Sequence, residues 1–508
     1  MKGGSWIVAL LILGGCSNQP NAGDGGNGVA AVQPSRVTAD ELRAAVDDDR
    51  LRAFYEARQW QPAWNAETAA ALVAAVNSAP AHGLDPGMFF GEVERATAPA
   101  AREAALSLAA LSYAEALARG RLDPARLREV YSVPRPESDV AAGLKQALRD
   151  NDLADWFAGL APQDAEYRRL SEAYVAARRQ AASARARTPI PAGRDIRPGG
   201  ADPRLPAIAA ALAADGYFTA PQGQPAPTRL TPELAAAVRT VQEDYGLTPN
   251  GAIDADTLAA INEGAFERAR TLAVNLERRR WLVREAPDTR IDVNIAAAML
   301  TYWRGGAVAD RRRAVVGEPG NETPELGSPL YRLVANPTWT VPRSIQTEEI
   351  APKGAGYMRR NNMAWRDGWI VQRSGPTNSL GLVKFDMQND HAIYLHDTPA
   401  KALFAEDDRH ASHGCVRVDD ALGFAQMIAS QEGVQDDWER ARATGEETFV
   451  PLPRPIPVRL MYQTAFVDGD RIRYRLDSYG WDDQVARALG LAARAPRPPR
   501  QRSGDVGP

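Results

Sequence analysis

The chain has 508 residues, a length that accommodates about three domains. Hydrophobic residues make up 44% and charged residues 24%, which is ordinary for a soluble globular protein. The formal net charge of -4 gives no sign of nucleic-acid binding, and we expect no nucleic-acid partner.

The N-terminus has the character of an export signal. Lys2 precedes an apolar run from Trp6 to Leu13, which is too short to span the ~30 Å of a bilayer core. The ending Leu13-Gly14-Gly15-Cys16 resembles a bacterial lipobox, which implies that residues 1–15 are removed and that Cys16 is lipidated. Ser17 does not resemble the Asp that retains lipoproteins in the inner membrane. We therefore expect a periplasmic protein held by lipid alone, more in the outer than the inner membrane. The alternative is an ordinary signal peptide with an incidental cysteine.

A helical region follows a Gly-, Asn- and Ala-rich segment, residues 16–36, that is typical of a flexible tether. Thr38-Ala39-Asp40-Glu41 fits a capping box and opens a predicted helical scaffold domain over residues 37–178. We interpret Trp60 and Trp64 as packing residues in preference to a sugar-stacking platform. Residues 179–203 lack periodicity and are typical of an interdomain linker.

Residues 204–264 predict a small three-helix domain. Thr231 and Pro232 fit the N-cap and first position of a helix that ends at Gly246. One face of that helix is apolar, at Leu234, Val238, Val241 and Tyr245. The pattern resembles the peptidoglycan-binding module of cell-wall enzymes, at Val238, Val241-Gln242, Gly246-Leu247, Asn250-Gly251 and Thr257-Leu258. A generic helical hairpin is the alternative, and even a true module serves either as structure or as a glycan anchor.

The C-terminal half predicts a different class of fold. A charged connecting helix over residues 265–285 leads to a β-rich domain over residues 286–466, where Ile291, Val293 and Ile295 alternate. Further strands are predicted at 313–316, 331–334, 381–385, 391–396 and 458–462. A C-terminal extension over residues 467–491 and a disordered tail over residues 492–508 complete a multidomain α and β protein.

The chain has two cysteines, Cys16 and Cys415, and four of its five histidines lie between His391 and His413. With Cys16 lipidated, Cys415 has no partner for a disulfide bond, so the lone thiol is either inert or chemically used. Three interpretations compete for this cluster.

In the first interpretation Cys415 is a nucleophile. A free thiol has a pKa near ~8.5 and attacks only as thiolate, so it needs a base. His396, at the end of the predicted strand 391–396, is the candidate base, and Asp397 is placed to orient its imidazole through backbone or side chain. Gly414 permits close backbone approach, and the Gly414 and Cys415 N–H groups are candidate oxyanion donors.

Two other interpretations remain. His410, His413 and Cys415, with His396 as a fourth residue, have the ligand types of a zinc site, although His413 and Cys415 stand close together for tetrahedral zinc. Otherwise Cys415 is a buried structural cysteine among surface histidines. We expect neither a metal nor another cofactor.

A resemblance favours the first interpretation. His396, fifteen residues and then Ser412-His413-Gly414-Cys415 resemble the signature of YkuD-type L,D-transpeptidases, and the flanking segments resemble the large Gram-negative, YcbB-like branch of that family. The similar segments are Asn336-Pro337-Thr338-Trp339, Val341-Pro342-Arg343-Ser344-Ile345, Asn378-Ser379-Leu380-Gly381, Val383-Lys384-Phe385 and Ile393-Tyr394-Leu395-His396-Asp397-Thr398-Pro399. The chain departs from the pattern at Arg417, where many members carry Asn, and in a lid segment, residues 343–376, that is short.

The resemblance implies transpeptidation of peptidoglycan tetrapeptide stems without a cofactor. Cys415 attacks the diaminopimelate carbonyl, His396 transfers protons, and a second stem resolves the thioester as a 3→3 cross-link. His413 then has a supporting role, while Tyr394, Arg417 and Ser412 are the expected substrate contacts, with a structural ion pair as the alternative for Arg417. The resemblance also implies acylation by carbapenems and cell-wall synthesis enzymes as partners. Water or a lipoprotein lysine as acceptor, or a non-catalytic wall-binding lipoprotein, are the alternatives. His391 and His410 are expected to be peripheral.

Overall fold

The computed structural model describes residues 37–183, 187–221, 223 and 225–494. The predicted signal segment, the lipobox with Cys16 and the tether lie outside the described residues. Within the described ranges, no helix combines the length and apolar character needed to cross a membrane.

The N-terminal region is helical, and its helix starts follow the sequence. The Thr38 side chain accepts a hydrogen bond from the Glu41 N–H, and the Glu41 carboxylate accepts one from the Thr38 N–H, so the predicted capping box is confirmed. Trp64 is buried with its Nε1 donating to Ser107 Oγ at 2.8 Å, and Trp60 stacks on Tyr55. These tryptophans pack within the domain, as predicted. The helices are α1 Ala39–Ala45, α2 Asp49–Glu56, α3 Ala66–Asn77, α4 Gly87–Arg95, α5 Pro99–Arg119, α6 Val140–Asp150, α7 Leu153–Leu160 and α8 Ala165–Ser183.

The segment after α8 runs along the next helical unit. Ile190 and Ile196 are buried, and Ile196 forms a β-bridge with Ile253. The unit itself contains α9 Leu205–Ala214, α10 Pro232–Tyr245 and α11 Ala255–Asn262. Thr231 caps α10 through its side chain and Gly246 ends it with φ +69°, as predicted.

One connection between the helical unit and the β domain is made by the carboxylate of Asp407. Asp407 accepts hydrogen bonds from the Thr248 N–H at 2.9 Å and from the Thr248 hydroxyl at 2.6 Å. Thr248 lies in the turn directly after α10, so the unit has a defined orientation against the chain that leads to the cysteine motif.

The predicted connecting helix, α12 Ala265–Trp281, is buried along most of its length although it is rich in charge. Glu277 and Arg280 form an ion pair at 2.6 Å with both side chains fully buried. Glu277 also accepts from Trp281 Nε1 at 3.0 Å and from the Leu122 N–H at 2.7 Å. These bonds join α12 to the N-terminal scaffold, and they compensate the cost of burying the charges.

A nine-stranded sheet forms the β domain. Its order is β10-β3-β11-β9-β8-β4-β12-β1-β2, and β2 also pairs with β3, so the sheet closes on itself. The strands are β1 Arg290–Asn294, β2 Met299–Arg304, β3 Ala307–Gly317, β4 Leu326–Ala335, β8 Val383–Met387, β9 Leu395–His396, β10 His410–Ser412, β11 Val416–Val418 and β12 Thr448–Met461. Helices α15 Ala421–Gln431 and α16 Gln435–Ala443 follow β11. The predicted strands at 313–316 and 331–334 fall within β3 and β4. The predicted strand at 458–462 extends one residue beyond the end of β12, and the one at 381–385 begins two residues before β8.

The predicted strand 391–396 is wrong over most of its length, because only Leu395–His396 is a strand. The side chain of Asn389 binds the backbone that would otherwise pair with a neighbouring strand. Its Oδ1 accepts from the His391 N–H at 3.0 Å and the Ile393 N–H at 3.2 Å, and its Nδ2 donates to the Ile393 carbonyl at 2.8 Å. Ala392 is consequently left-handed, with φ +54°.

Residues 339–372 form a separate small layer with its own apolar core around Trp339, Ile345 and Ile370. We call residues 343–376 the lid. The layer contains β5 Trp339–Thr340, β6 Met363–Arg366, β7 Trp369–Gln372, α13 Arg343–Ile345 and α14 Gly354–Arg360. After β12, a hairpin of β13 Ala465–Asp468 and β14 Arg471–Tyr474 leads to α17 Trp481–Ala488, which packs on α12.

The buried cluster around Glu277 generates a stability prediction. We expect Glu277→Ala to destabilise the protein by roughly 3–5 kcal/mol, because Arg280 is left as an uncompensated buried charge. The matched control is Glu92→Ala, which breaks an exposed ion pair with Arg95 and should cost at most about 1 kcal/mol. Denaturant unfolding followed by fluorescence measures both variants, and equal effects would contradict the structural role of this ion pair.

Candidate active site

His396 is held between two neighbouring strands. It pairs with Lys384 of β8 on one side and with Arg417 of β11 on the other, and its side chain is fully buried. Its Nδ1 lies 2.5 Å from the Asp397 carbonyl oxygen. A carbonyl only accepts, so Nδ1 carries the proton and Nε2 carries the lone pair. Within the described residues Nε2 is buried without a hydrogen-bond partner, which leaves the basic nitrogen available for a reacting group.

Burial, together with the positive charge of Arg417, lowers the pKa of His396 to about 3. The imidazole is therefore neutral at neutral pH. A neutral imidazole with an unengaged Nε2 is the protonation state that a general base requires.

Cys415 lies opposite Tyr394, because β11 and β9 run parallel with Val416 paired to Leu395. The cysteine is 5% exposed and its Sγ lies 3.5 Å from the Ala392 carbonyl oxygen. Burial raises the pKa of the thiol to about 11, and hydrogen bonding from Tyr394 opposes that increase. At neutral pH Cys415 is thus a protonated thiol and His396 a neutral imidazole.

Ser412 and Gly414 shape the loop that carries the thiol. The Ser412 hydroxyl donates to the Cys415 carbonyl at 2.6 Å and accepts from the Gly414 N–H at 3.2 Å, and Ser412 is fully buried. Ser412 therefore stabilises the loop, and its contact with substrate stays a prediction. Gly414 has φ +111°, a conformation that favours glycine. Because its N–H is engaged by Ser412, the candidate oxyanion donor is the Cys415 N–H.

His413 points to the lid. Its Nε2 lies 2.6 Å from Glu349 Oε1, and both side chains are partly shielded from solvent. Tyr394 also packs against the apolar core of the lid layer. The cysteine motif and the lid are thereby in contact in this closed arrangement.

The backbone carbonyl of Asp397 orients His396, while the carboxylate of Asp397 binds other residues. That carboxylate accepts from the Leu382 N–H at 2.9 Å and pairs with Lys401. Gly381, with φ +60°, leaves the space, since a Cβ there would collide with the carboxylate. The sequence leaves open whether Asp397 orients the His396 imidazole through its backbone or its side chain. In the structure the contact is made by the backbone carbonyl.

Arg417 is almost fully buried on β11, so it does not present a free guanidinium to substrate in this conformation. Its charge lowers the pKa of His396 and opposes the raised pKa of Cys415. The residue therefore acts on the electrostatics of both groups, and a direct contact with substrate stays a prediction.

The remaining histidines have separate surroundings. His410 Nδ1 lies 2.7 Å from Asp408 Oδ1, whereas the His391 side chain is exposed. Among the described residues no group of three or more His, Cys, Asp and Glu side chains is arranged to hold a metal ion. The alternative of a zinc site has no ligand set in this part of the chain.

Several residues of the site escape sequence reasoning. Asn389 carries a weak sequence signal, because the side chain of an Asn in a turn often forms a hydrogen bond with the backbone two residues further on. Lys384, whose Nζ lies 4.3 Å from the centre of the Tyr394 ring, and Glu349 carry no local signal. Their positions depend on long-range packing.

Comparison with known families agrees with this geometry. Residues 288–448 match the family model of the L,D-transpeptidase catalytic domain (YkuD). Residues 202–261 match a model described as "Putative peptidoglycan binding domain" and residues 49–173 match a scaffold domain. The chain therefore carries a YkuD-type L,D-transpeptidase catalytic domain behind a helical scaffold and a peptidoglycan-binding-like domain, and the predicted fold class and family resemblance are confirmed.

Individual relatives add detail. A Haemophilus influenzae protein named "Putative L,D-transpeptidase" is 31% identical over 244 residues, 42% of this chain and 48% of that protein, so the chain spans about half the length of this relative. An L,D-transpeptidase structure from Xylanimonas cellulosilytica is 17% identical over 53% of this chain and 98% of its own, with a TM-score of 0.19. One from Mycobacterium smegmatis is 14% identical over 35% and 60%, with a TM-score of 0.21. The TM-scores are too low for these structures to support a conclusion about this chain.

The pKa of the buried thiol predicts a specific pH dependence. Because the thiol pKa is raised to about 11, we expect the rate of Cys415 alkylation by iodoacetamide to rise about tenfold per pH unit from pH 6 to pH 10. Mass spectrometry of the intact protein measures this rate. A plateau between pH 6 and pH 8 would instead indicate a thiolate–imidazolium pair in the resting enzyme.

The contact between His413 and Glu349 predicts control of access to the thiol. We expect Glu349→Ala to accelerate alkylation of Cys415 about threefold to tenfold, because a partly exposed polar contact contributes ~1 kcal/mol to lid closure. Glu348→Ala is the matched control, since Glu348 is exposed on the same segment. Equal alkylation rates for wild type and both variants would show that this contact does not limit access.

Proposed function

We propose that the protein is a cysteine-dependent L,D-transpeptidase that forms 3→3 cross-links between diaminopimelate residues of peptidoglycan. The observation that carries the proposal is that the buried free thiol of Cys415 immediately precedes β11, the strand beside the one that carries His396, a neutral histidine whose Nε2 is unengaged among the described residues. Both residues lie within the segment that matches the catalytic domain. Substrate, acceptor and activity of the whole protein are parts of this proposal.

Acylation begins with proton transfer. His396 Nε2 accepts the thiol proton as Cys415 Sγ attacks the carbonyl carbon of the third residue of a tetrapeptide stem. The carbonyl electron pair moves to oxygen, and the Cys415 N–H donates a hydrogen bond to that oxyanion. When the intermediate collapses, the bond to the terminal D-alanine breaks and the imidazolium protonates the leaving amine. A thioester and free D-alanine result.

Deacylation reverses the roles. The amine of a second stem's diaminopimelate attacks the thioester carbon, and His396 removes a proton from that amine. The C–S bond breaks, the proton returns to the thiolate, and a new peptide bond joins the stems. One amide is exchanged for another, so the reaction needs neither ATP nor a cofactor.

The protonation states of Cys415 and His396 do not favour proton transfer before substrate binds. With the thiol pKa near 11 and the imidazole pKa near 3, proton transfer from Cys415 to His396 in this closed arrangement is strongly uphill. Burial is the largest cause of both shifts. Opening of the lid and entry of a polar stem bring these values together, and the transfer accompanies the attack on the carbonyl.

The surrounding features complete the proposal. We place the protein in the periplasm, held by a lipid on Cys16, and expect carbapenems to acylate Cys415. His413 supports the loop and contacts the lid, and Tyr394 borders the thiol. The peptidoglycan-binding-like domain serves as structure or glycan anchor, and cell-wall synthesis enzymes are the expected protein partners.

The decisive experiment uses the detergent-solubilised full-length chain and a purified disaccharide-tetrapeptide. We expect D-alanine release and dimeric 3→3 products in mass spectrometry, with none from Cys415→Ala. His396→Gln should lower the rate about 10²- to 10⁴-fold, the usual range for loss of a general base. His391→Gln, which changes an exposed histidine near the same site, is the matched control and should retain activity.

Other outcomes identify the alternatives. Tripeptide without dimer means that water is the acceptor, and transfer only to a lysine-containing lipoprotein peptide means an anchoring ligase. Products that persist in Cys415→Ala would overturn the thiol mechanism. Binding to sacculi without any turnover would indicate a wall-binding lipoprotein.

A further inference from the structure

A turn that precedes β4 is connected to the cysteine loop at two points. The turn spans Gly317 to Thr323, directly after β3. The Glu318 N–H donates to the Ser412 carbonyl at 2.8 Å, and the Thr323 hydroxyl donates to the Gly414 carbonyl at 2.8 Å. Thr323 is fully buried, and its Oγ1 also accepts from the Gly317 N–H at 2.8 Å. The side chain is thus engaged as both donor and acceptor.

The bond to Gly414 fixes one particular peptide plane. In a planar trans peptide the carbonyl and the following N–H point in opposite directions. Because the Gly414 carbonyl is directed to Thr323, the Cys415 N–H is directed away from Thr323. The hydroxyl of Thr323 therefore determines where the candidate oxyanion donor points.

The C-terminal extension binds this turn, Gly317 to Thr323. The Tyr479 hydroxyl donates to the Gly317 carbonyl at 2.5 Å and accepts from the Thr323 N–H at 3.3 Å. Burial raises the pKa of Tyr479 far above its usual range, so the hydroxyl keeps the proton that it donates. Tyr479 lies beyond residue 448, where the match to the catalytic-domain model ends.

Tyr479 has a fixed position of its own. Its ring stacks on Tyr462 at 5.2 Å and meets Trp481 edge-on at 4.9 Å, and its N–H donates to the Tyr462 hydroxyl at 3.1 Å. That hydroxyl donates to Asp477 at 2.8 Å. The C-terminal extension therefore presents Tyr479 on a rigid support.

We propose that Thr323 and Tyr479 are positioning residues for the oxyanion donor, so that the C-terminal extension takes part in setting the geometry of acyl transfer. The inference rests on the proposed function, because an oxyanion forms only when the thiol attacks a carbonyl. Neither residue contacts substrate. Thr323 acts through the Gly414 carbonyl, and Tyr479 acts through Gly317 and Thr323.

The test compares two reactions of the same thiol in the full-length protein. Acylation by the disaccharide-tetrapeptide passes through an oxyanion, whereas alkylation by iodoacetamide does not. Thr323→Val removes the hydroxyl at nearly constant shape, and we expect it to lower the acylation rate about 10- to 100-fold, somewhat less than outright loss of a donor. Alkylation should stay within about twofold of wild type.

Three further variants separate positioning from folding. Thr323→Ser retains the hydroxyl and should restore most of the acylation rate. Tyr479→Phe removes only a hydroxyl and should lower acylation about threefold to tenfold, through a second-order effect on the turn. Tyr474→Phe changes another buried tyrosine of the C-terminal region, on the β13–β14 hairpin, and should have no effect.

The outcomes distinguish this inference from the proposed function. If wild type is acylated and Thr323→Val is acylated equally fast, or if acylation and alkylation fall together, the positioning role is wrong. If wild type is never acylated, the proposed function fails. Crystal structures of wild type and Thr323→Val then decide the remaining point, since an unmoved Gly414 carbonyl in the variant would overturn the role of Thr323.

Discussion

The candidate active site depends on one hydrogen bond, from His396 Nδ1 to the Asp397 carbonyl. It fixes the tautomer, and hence places the basic lone pair on Nε2. The carbonyl is itself immobile, because the Asp397 carboxylate holds the Leu382 N–H across the neighbouring turn and Gly381 permits the close approach. Without this support the buried imidazole would be free to rotate, and its basic nitrogen would have no fixed direction.

Burial gives the site its second constraint. Water is largely excluded from Cys415 and His396, and this exclusion raises the pKa of the thiol while it lowers that of the imidazole. Both groups are then neutral and poorly reactive in the closed state. Reactivity has to be created by events that change the surroundings of the pair, and the lid is the element in contact with it through Glu349.

The sequence alone indicates the two candidate reacting residues of this site, but it does not indicate the residues that hold them in position. The motif around Cys415 and the spacing to His396 are enough to nominate these two residues as the candidate reacting groups. Capping signals such as Thr38 and Thr231 locate helix starts because they act within one turn. The strand predicted at 391–396 is wrong over most of its length because the Asn389 side chain accepts hydrogen bonds from the His391 and Ile393 N–H groups. The hydrophobic pattern assigns these groups to a sheet. Residues such as Lys384 and Glu349, which reach the site from distant parts of the chain, produce no periodic or local sequence pattern. Only the tertiary structure shows that they lie there.

The buried helix α12 contacts both the scaffold and the C-terminal segment. Its Glu277 binds the scaffold at Leu122, while its Arg278 pairs with Asp482 at 2.5 Å, at the start of α17. Asp482 also accepts from Thr464, so the segment between β12 and α17 is anchored at both ends against one helix. Tyr479 lies within that segment. Packing of the scaffold on α12 is thus linked through buried ion pairs to the residue that supports the cysteine loop, which gives the non-catalytic domains a physical route to the geometry of the site.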